Sequence, residues 1–196
     1  KSGPAFNKVP HSSLVAVMRR DASKAKDYAS RHQVPKWYDD AMKLIHDPEV
    51  NAVYIATPPS SHKEYAIAAI DARKPVYIEK PMALQYADAS EIARYAAERN
   101  VKVSVAHYRR GQPKFNKIKQ LLAEKAIGDI RCCRLLFLRP VLSAEALQSE
   151  RTKWRLDPLI SGGGLFHDLA PHQLDLAVYF FGEPIAAHGF SGNQAG

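Results

Sequence analysis

The sequence predicts an α/β fold built on a doubly wound parallel sheet, followed by the start of an α+β domain with a mostly antiparallel sheet. Three observations carry this reading. Short Val-rich apolar runs alternate with helical stretches between residues 14 and 106, the alternation stops near residue 108, and a longer strand-like run follows at 130–139. Apolar runs of this length suit strands buried on both faces of a parallel sheet, and their alternation with helices means repeated βαβ units.

The strands are read at 14–18 (LVAVM), 52–56 (AVYIA), 75–78 (PVYI) and 101–106 (VKVSVA), and the helices at 22–31, 39–47, 62–73 and 87–100. In the last helix Ala89, Ile92, Ala93, Ala96 and Ala97 recur at helical spacing. A Rossmann-like unit normally opens with a strand leading into G-x-G-x-x-G, whose amides hold a pyrophosphate at a helix N-terminus. That motif is absent, so the strand at 14–18 reads as the second of the fold and residues 2–7 as the end of its first helix. The chain is therefore expected to be truncated at both ends. After residue 108 the sequence predicts a helix at 113–124 closed by Gly128, a strand at 130–139, and a polar stretch at 143–153. A helix then opens at Ser161-Gly162-Gly163-Gly164 and runs towards Phe181-Gly182, with 185–190 a candidate last strand. The domains are placed at 1–108 and 109–196, the second being the partial substrate and dimerisation domain.

Composition narrows the function. The charge of +8 invites a nucleic-acid reading, but only Arg19-Arg20 with Lys24 and Lys26, and Arg109-Arg110, form tight basic groups. An anionic dinucleotide is partner enough for groups of that size, and no nucleic acid is expected. No apolar run approaches the ~20 residues that span a bilayer, and residues 1–4 do not read as a signal peptide. The only cysteines, Cys132 and Cys133, are adjacent in the predicted strand and point to opposite faces, which makes them poor bridge partners. They read as reduced thiols of a cytoplasmic protein. His167 and His172 lack an obvious third ligand, so no metal is expected.

Three groups of residues carry chemistry. Met18-Arg19-Arg20-Asp21, followed by Lys24, stands where a doubly wound fold meets the adenosine ribose. Arginines there suit a 2′-phosphate and favour NADP, with NAD the alternative, and Asp21 is free to cap the next helix. Thr57-Pro58-Pro59-Ser60-Ser61-His62 ends a strand, and Ser60 or Ser61 is a candidate cap for the following helix. Glu79-Lys80-Pro81 ends the next strand, where Pro81 restricts the Lys80 backbone and so fixes where its amine points. The third group is the helix after Gly162-Gly163-Gly164, on which Asp168, His172 and Asp175 share a face. Here Asp168 is expected to orient His172 and raise its basicity. Pro171 fits if the regular helix begins near Asp168, which would leave the proline in the first turn.

Ile55-Ala56-Thr57-Pro58 to His62, Glu79-Lys80-Pro81, and Gly162-Gly163-Gly164 to Asp168, His172 and Asp175 appear in one order and at spacings that resemble the Gfo/Idh/MocA oxidoreductases. Tyr108-Arg109-Arg110 and Trp154-Arg155 are similar to the branch with dihydrodiol, xylose and anhydrofructose-type enzymes. Pro59 stands where many members have Asn. The resemblance implies that Lys80, Asp168 and His172 are catalytic, with His172 exchanging the proton. Thr57, Pro58, His62, Glu79, Lys80, Trp154 and Arg155 would meet the cofactor together with Arg19, Arg20 and Lys24. Tyr108 and Arg109 would join Asp168 and His172 at the substrate. The implied activity is hydride transfer between a nicotinamide cofactor and a polyol, sugar or dihydrodiol, by a full-length homo-oligomer. The rival readings are a non-catalytic dinucleotide-binding regulator and an inactive fragment.

Overall fold

The computed structural model describes residues 3–138 and 140–192. The chain divides into two compact units. The first runs to Thr57 and adds Ser61–Glu79 and Gln85–Ser104; the second holds Pro58–Ser60, Lys80–Leu84 and the chain from Val105 onward.

In the first unit, helix α1 (Gly3–Phe6) precedes strand β1 (Ala16–Met18), helix α2 (Ala22–His32), strand β2 (Lys36–Tyr38) and helix α3 (Ala41–His46). Strand β3 (Val53–Ile55), helix α4 (His62–Asp71), strand β4 (Val76–Ile78), helix α5 (Tyr86–Glu98) and strand β5 (Val103–Val105) follow. Strands β1 and β2 pair in parallel with Ala16 opposite Lys36, and β3 and β4 pair in parallel with Val53 opposite Val76. Strand β5 bonds the far side of β4. The expected strands and helices are all present, their ends displaced by no more than a residue or two.

Strand β2 was not legible as an apolar run, because Lys-Trp-Tyr carries no aliphatic residue. What fixes it is backbone pairing to β1 and the buried carboxylate of Asp47, which takes the Lys36 amine at 3.0 Å and the Tyr38 hydroxyl at 2.7 Å. The aliphatic core lies between sheet and helices, with Ile45, Ile70, Ile78 and Ile92 fully buried. On α5 only Ile92 and Ala96 of the expected face are buried; Ala93 and Ala97 are exposed, so the helix seats on a narrower stripe than its alanines implied.

The second unit is helical among its described residues. A short 3-10 turn (Tyr108–Gly111) leads to α6 (Pro113–Ala123), α7 (Ala144–Gln148), α8 (Glu150–Leu156), α9 (Pro158–Ser161) and α10 (Gly164–Phe181). The polar stretch at 143–153 is thus mostly helical, started by Ser143, whose hydroxyl accepts from the Ala146 amide at 3.2 Å. The expected strand at 130–139 is not formed over 130–138, and its last residue lies outside the described residues. A strand needs a neighbour to take its amides and carbonyls, and none of the described residues supplies one. Leu135, Leu136, Phe137 and Leu138 are consequently exposed, as are Cys132 and Cys133, which are free thiols. Residues 185–190 also carry no strand, and Ile185 and Phe190 are fully exposed. No antiparallel sheet therefore forms among the described residues. No described helix is long and apolar enough to cross a membrane.

The Asp47 carboxyl is held down to about 2, foremost by the Glu49 amide and then by Tyr38 and Lys36. Its folded value lies below the ordinary one, so its stabilisation is present above about pH 4 and is lost as the pH falls towards 2. Thermal melts followed by circular dichroism should show a steep loss of Tm over that window. In Asp47→Asn the Tm should be lower at pH 7 and the acid limb flatter.

Candidate active site

The predicted site residues fall into two sets, one in each unit. In the first unit, β1 ends at Met18. The Arg19 amide then bonds the Tyr38 carbonyl at 3.1 Å, leaving the Arg19 and Arg20 side chains beyond the strand's carboxyl end. The Arg20 guanidinium donates to the Ser61 hydroxyl. Ser61 stands at the N-cap of α4 but does not cap it, contrary to the sequence reading: its backbone is helical (φ −104°, ψ −3°) where a capping residue is extended, and its hydroxyl accepts from Arg20. A 3-10 turn (Pro59–Ser61) runs directly into α4, so the helix is entered from turn backbone and not from an extended capping residue. Asp21 does cap α2, accepting from the Lys24 amide at 3.1 Å. The Ser23 hydroxyl, followed by that amide, holds its carboxyl down to about 2. The Lys24 ammonium lies 3.5 Å from the same carboxylate.

Strand β3 delivers Thr57, whose hydroxyl oxygen is buried without a hydrogen-bond partner among the described residues. A buried hydroxyl left so is costly unless something else satisfies it. His62 was expected along the cofactor, but it is only 1% exposed and its Nε2 lies 2.9 Å from the Thr57 carbonyl oxygen. It braces the Thr57 turn from beneath and offers no surface to a ligand. Glu79 ends β4, its amide on the Ile55 carbonyl at 2.9 Å and its carboxylate accepting from the Tyr54 hydroxyl.

In the second unit, the Lys80–Pro81 peptide is cis, and the Lys80 ammonium reaches α10. It donates to the Asp168 carboxylate at 2.8 Å and also to the Asp168 backbone carbonyl. An ammonium has three protons, so one remains for another acceptor. The other carboxylate oxygen of Asp168 takes Arg155 Nε at 2.9 Å, and the Arg155 guanidinium lies 4.3 Å from the ring of Trp154, its neighbour on α8. Burial pushes the Asp168 carboxyl up, but the hydrogen bonds and charges of Lys80 and Arg155 win and hold it below its ordinary value.

His172, one turn along α10, is buried, and its Nδ1 has no partner among the described residues. Its ring meets the ring of Tyr108 edge to face at 5.4 Å. Asp168 does favour the charged ring, as expected, but its carboxylate is turned to Lys80 and Arg155 and its effect is outweighed. Burial, with the charges of Lys80 and Arg109, pushes His172 down to about 4. Arg109 donates to the side chain of Gln173 at 2.6 Å, while Arg110 pairs with Asp175 at 2.7 Å. Pro58 belongs to this unit by its contacts.

Local chain features hold this arrangement. The buried Ser161 hydroxyl accepts from the Gly164 amide at 3.0 Å and starts α10. Gly162, at φ 86°, is a position where a side chain would meet the Leu84 carbonyl at 3.1 Å. Helix α10 begins at Gly164, so Pro171 lies in its interior and not in its first turn. Its missing N–H leaves the His167 carbonyl without its helical donor. Among the described residues no group of three or more His, Cys, Asp or Glu is placed to hold a metal ion. The pairing of Arg109 with Gln173, of Arg155 with Asp168 and of Arg20 with Ser61 had no local signal in the sequence, since each joins segments far apart or a residue type that pairs equally well with water.

Residues 1–107 match the oxidoreductase family with an NAD-binding Rossmann fold, and residues 115–196 match the GFO/IDH/MocA C-terminal domain. Oxidoreductase P35 of Formosa agariphila is 48% identical over 93% of this chain and 57% of its own length. The trans-1,2-dihydrobenzene-1,2-diol dehydrogenase of Xenopus laevis is 30% identical over 90% of this chain and 52% of its own. The chain thus spans little more than half the length of these curated relatives. Among solved structures, levoglucosan dehydrogenase in complex with NADH and levoglucosan superposes with a TM-score of 0.75 at 28% identity, covering 93% of this chain and 49% of that one.

Because the folded imidazole of His172 protonates near 4 and an unfolded one near 6.5, the unfolded state binds the extra proton between those values. Stability from this residue is therefore lost as the pH falls through that window. An NMR titration of the His172 ring should give a midpoint near 4. The midpoint should rise in Lys80→Met, which removes a repelling cation, and fall further in Asp168→Asn, which removes an anion that favours the charged ring.

Proposed function

The chain belongs to the Gfo/Idh/MocA oxidoreductase family, and on that premise we propose that the protein containing it transfers a hydride reversibly between a nicotinamide cofactor and a hydroxyl-bearing carbon of a sugar-like, polyol or dihydrodiol substrate. The observation that carries this reading is the union of Lys80, Asp168 and His172 in the second unit, at 2.8 Å for the ion pair and one helical turn between the two α10 residues. The bound nicotinamide supplies the hydride acceptor or donor.

The chain's own groups handle the proton. His172 is neutral at pH 7, so in the oxidative direction it is ready to take the substrate's hydroxyl proton. The remaining N–H of Lys80 donates to the same oxygen and stabilises the charge that develops on it. Asp168 keeps Lys80 and Arg155 in place and keeps their paired charge from repelling a protonated His172 further. Tyr108 and Arg109 flank the imidazole and serve the substrate side. Trp154 and Arg155 are assigned to the cofactor's nicotinamide end, and Thr57, Pro58 and Glu79 lie along the cofactor.

The first unit supports a preference for NADP over NAD. Asp21, the carboxylate that would receive the ribose hydroxyls, is already committed to capping α2, and Arg20 is oriented by Ser61. Guanidinium groups suit a 2′-phosphate where a carboxylate would repel it. The free thiols of Cys132 and Cys133 support a cytoplasmic location, and the exposed apolar side chains at 135–138 support a homo-oligomer of the whole protein.

In the full-length protein, Lys80→Ala and His172→Ala should each lower kcat by ~10²–10⁴-fold, the usual worth of positioned proton transfer. Near-normal turnover in either variant, with the fold intact by circular dichroism, would remove its assigned role. Tryptophan-fluorescence titrations should show NADPH binding tighter than NADH, with the difference abolished in Arg19→Ala/Arg20→Ala. Binding of neither cofactor would leave the hydride reading without its co-reactant.

A further inference from the structure

The cations around His172 outnumber the carboxylates that answer them. Asp168 is shared by Lys80 and Arg155, and Asp175 is taken by Arg110 at 2.7 Å with His107 at 3.5 Å. Arg109 is different. Among the described residues its guanidinium hydrogen-bonds only the neutral oxygen of Gln173, at 2.6 Å, and otherwise lies 5.9 Å from the ring of Phe115. No carboxylate of the described residues pairs with it. The guanidinium is half-buried and immediately follows Tyr108, whose ring meets that of His172. Gln173 is the residue after His172 on α10, so the same short stretch of helix sets the imidazole and fixes the plane of the guanidinium. Arg109 is near enough that its charge helps suppress protonation of His172.

A guanidinium has five N–H donors in a planar fork that matches a carboxylate or phosphate with two parallel bonds. Gln173 occupies one of the donors. A neutral polyol would leave the remaining ones to water, with a half-buried charge unanswered, whereas an oxyanion would satisfy the fork and neutralise it. We propose that the substrate of the reaction described above carries an oxyanion group, the carboxylate of a sugar acid or the phosphate of a sugar ester, and that Arg109 receives it beside the proton-exchanging His172. This inference rests on the hydride-transfer reading and names its substrate class. It separates the protein from relatives whose names specify uncharged substrates, such as the dihydrodiol dehydrogenase and levoglucosan dehydrogenase.

The test uses the full-length protein and a panel of hexoses, each paired with its uronate and its 6-phosphate. Initial rates with the preferred cofactor should give one anionic member of a pair a kcat/KM about 10- to 100-fold above its neutral partner, the span set by one charge-assisted contact. The uronate and phosphate arms decide which oxyanion it is. In Arg109→Gln the advantage should vanish through a raised KM, with cofactor affinity unchanged, and Arg109→Lys, which keeps the charge but not the fork, should restore part of it. Neutral hexoses turned over as well as the anions would overturn the proposal and leave hydride transfer standing. Weakened cofactor binding in Arg109→Gln would also overturn it, by assigning the arginine to a cofactor phosphate. Should no sugar be oxidised, calorimetry with the same acids and esters decides. Binding that is lost in Arg109→Gln upholds the anion site while the hydride reading falls; no binding overturns the site as well.

Discussion

The second unit depends on one carboxylate. Asp168 takes Lys80 on one oxygen and Arg155 on the other, while its backbone carbonyl takes Lys80 again. Three segments that are remote in sequence, the 80–84 loop, α8 and α10, are thereby tied at one point. Burying a carboxylate is unfavourable unless it is fully answered, and here two cations do so with hydrogen-bonding geometry. The pair also decides the state of its neighbour. With the carboxylate committed to Lys80 and Arg155, His172 has no anion of its own, and burial among cations leaves it neutral. A single ion cluster thus positions one functional group and sets the protonation of the next.

The first unit works through backbone and caps more than through charge. Its parallel strands bring Thr57 and Glu79 to the same edge because β3 and β4 run side by side in register. His62, which a motif reading puts at a ligand surface, is instead part of the core and holds the Thr57 carbonyl. Burial converts the residue from a contact into a support.

Most of the first unit was legible because strand and helix there follow from local periodicity. Strand β2 was not, since Lys36-Trp37-Tyr38 shows neither apolar run nor alternation of aliphatic residues, and only the distant Asp47 explains it. The segment 130–138 failed in the opposite sense. It has strand composition, but composition does not provide a neighbour, and pairing is a non-local condition. In the site, Lys80, Asp168 and His172 were legible as types in order, and their union by α10 follows from helical spacing and the glycine turn. The sign of the electrostatic effect on His172 was not legible, because it turns on which partner a carboxylate chooses when Arg155 arrives from another helix. Pro171 shows the same limit: its place depends on where α10 starts, and that start at Gly164 is four residues before the Asp168 that would have left the proline in the first turn.

The close approach of Gly162 to the Leu84 carbonyl has a bearing on how such a protein can change by mutation. The two positions lie 78 residues apart in the chain, yet the backbone at 84 limits what residue 162 can carry. A side chain at 162 would need both a backbone able to tolerate φ 86° and a displaced loop, and that loop begins with Lys80. No exchange at 84 relieves this, because every residue there carries the same carbonyl. Residue 162 is thus held to glycine by geometry alone, and the loop that starts with the lysine keeps its backbone path whatever side chains it bears.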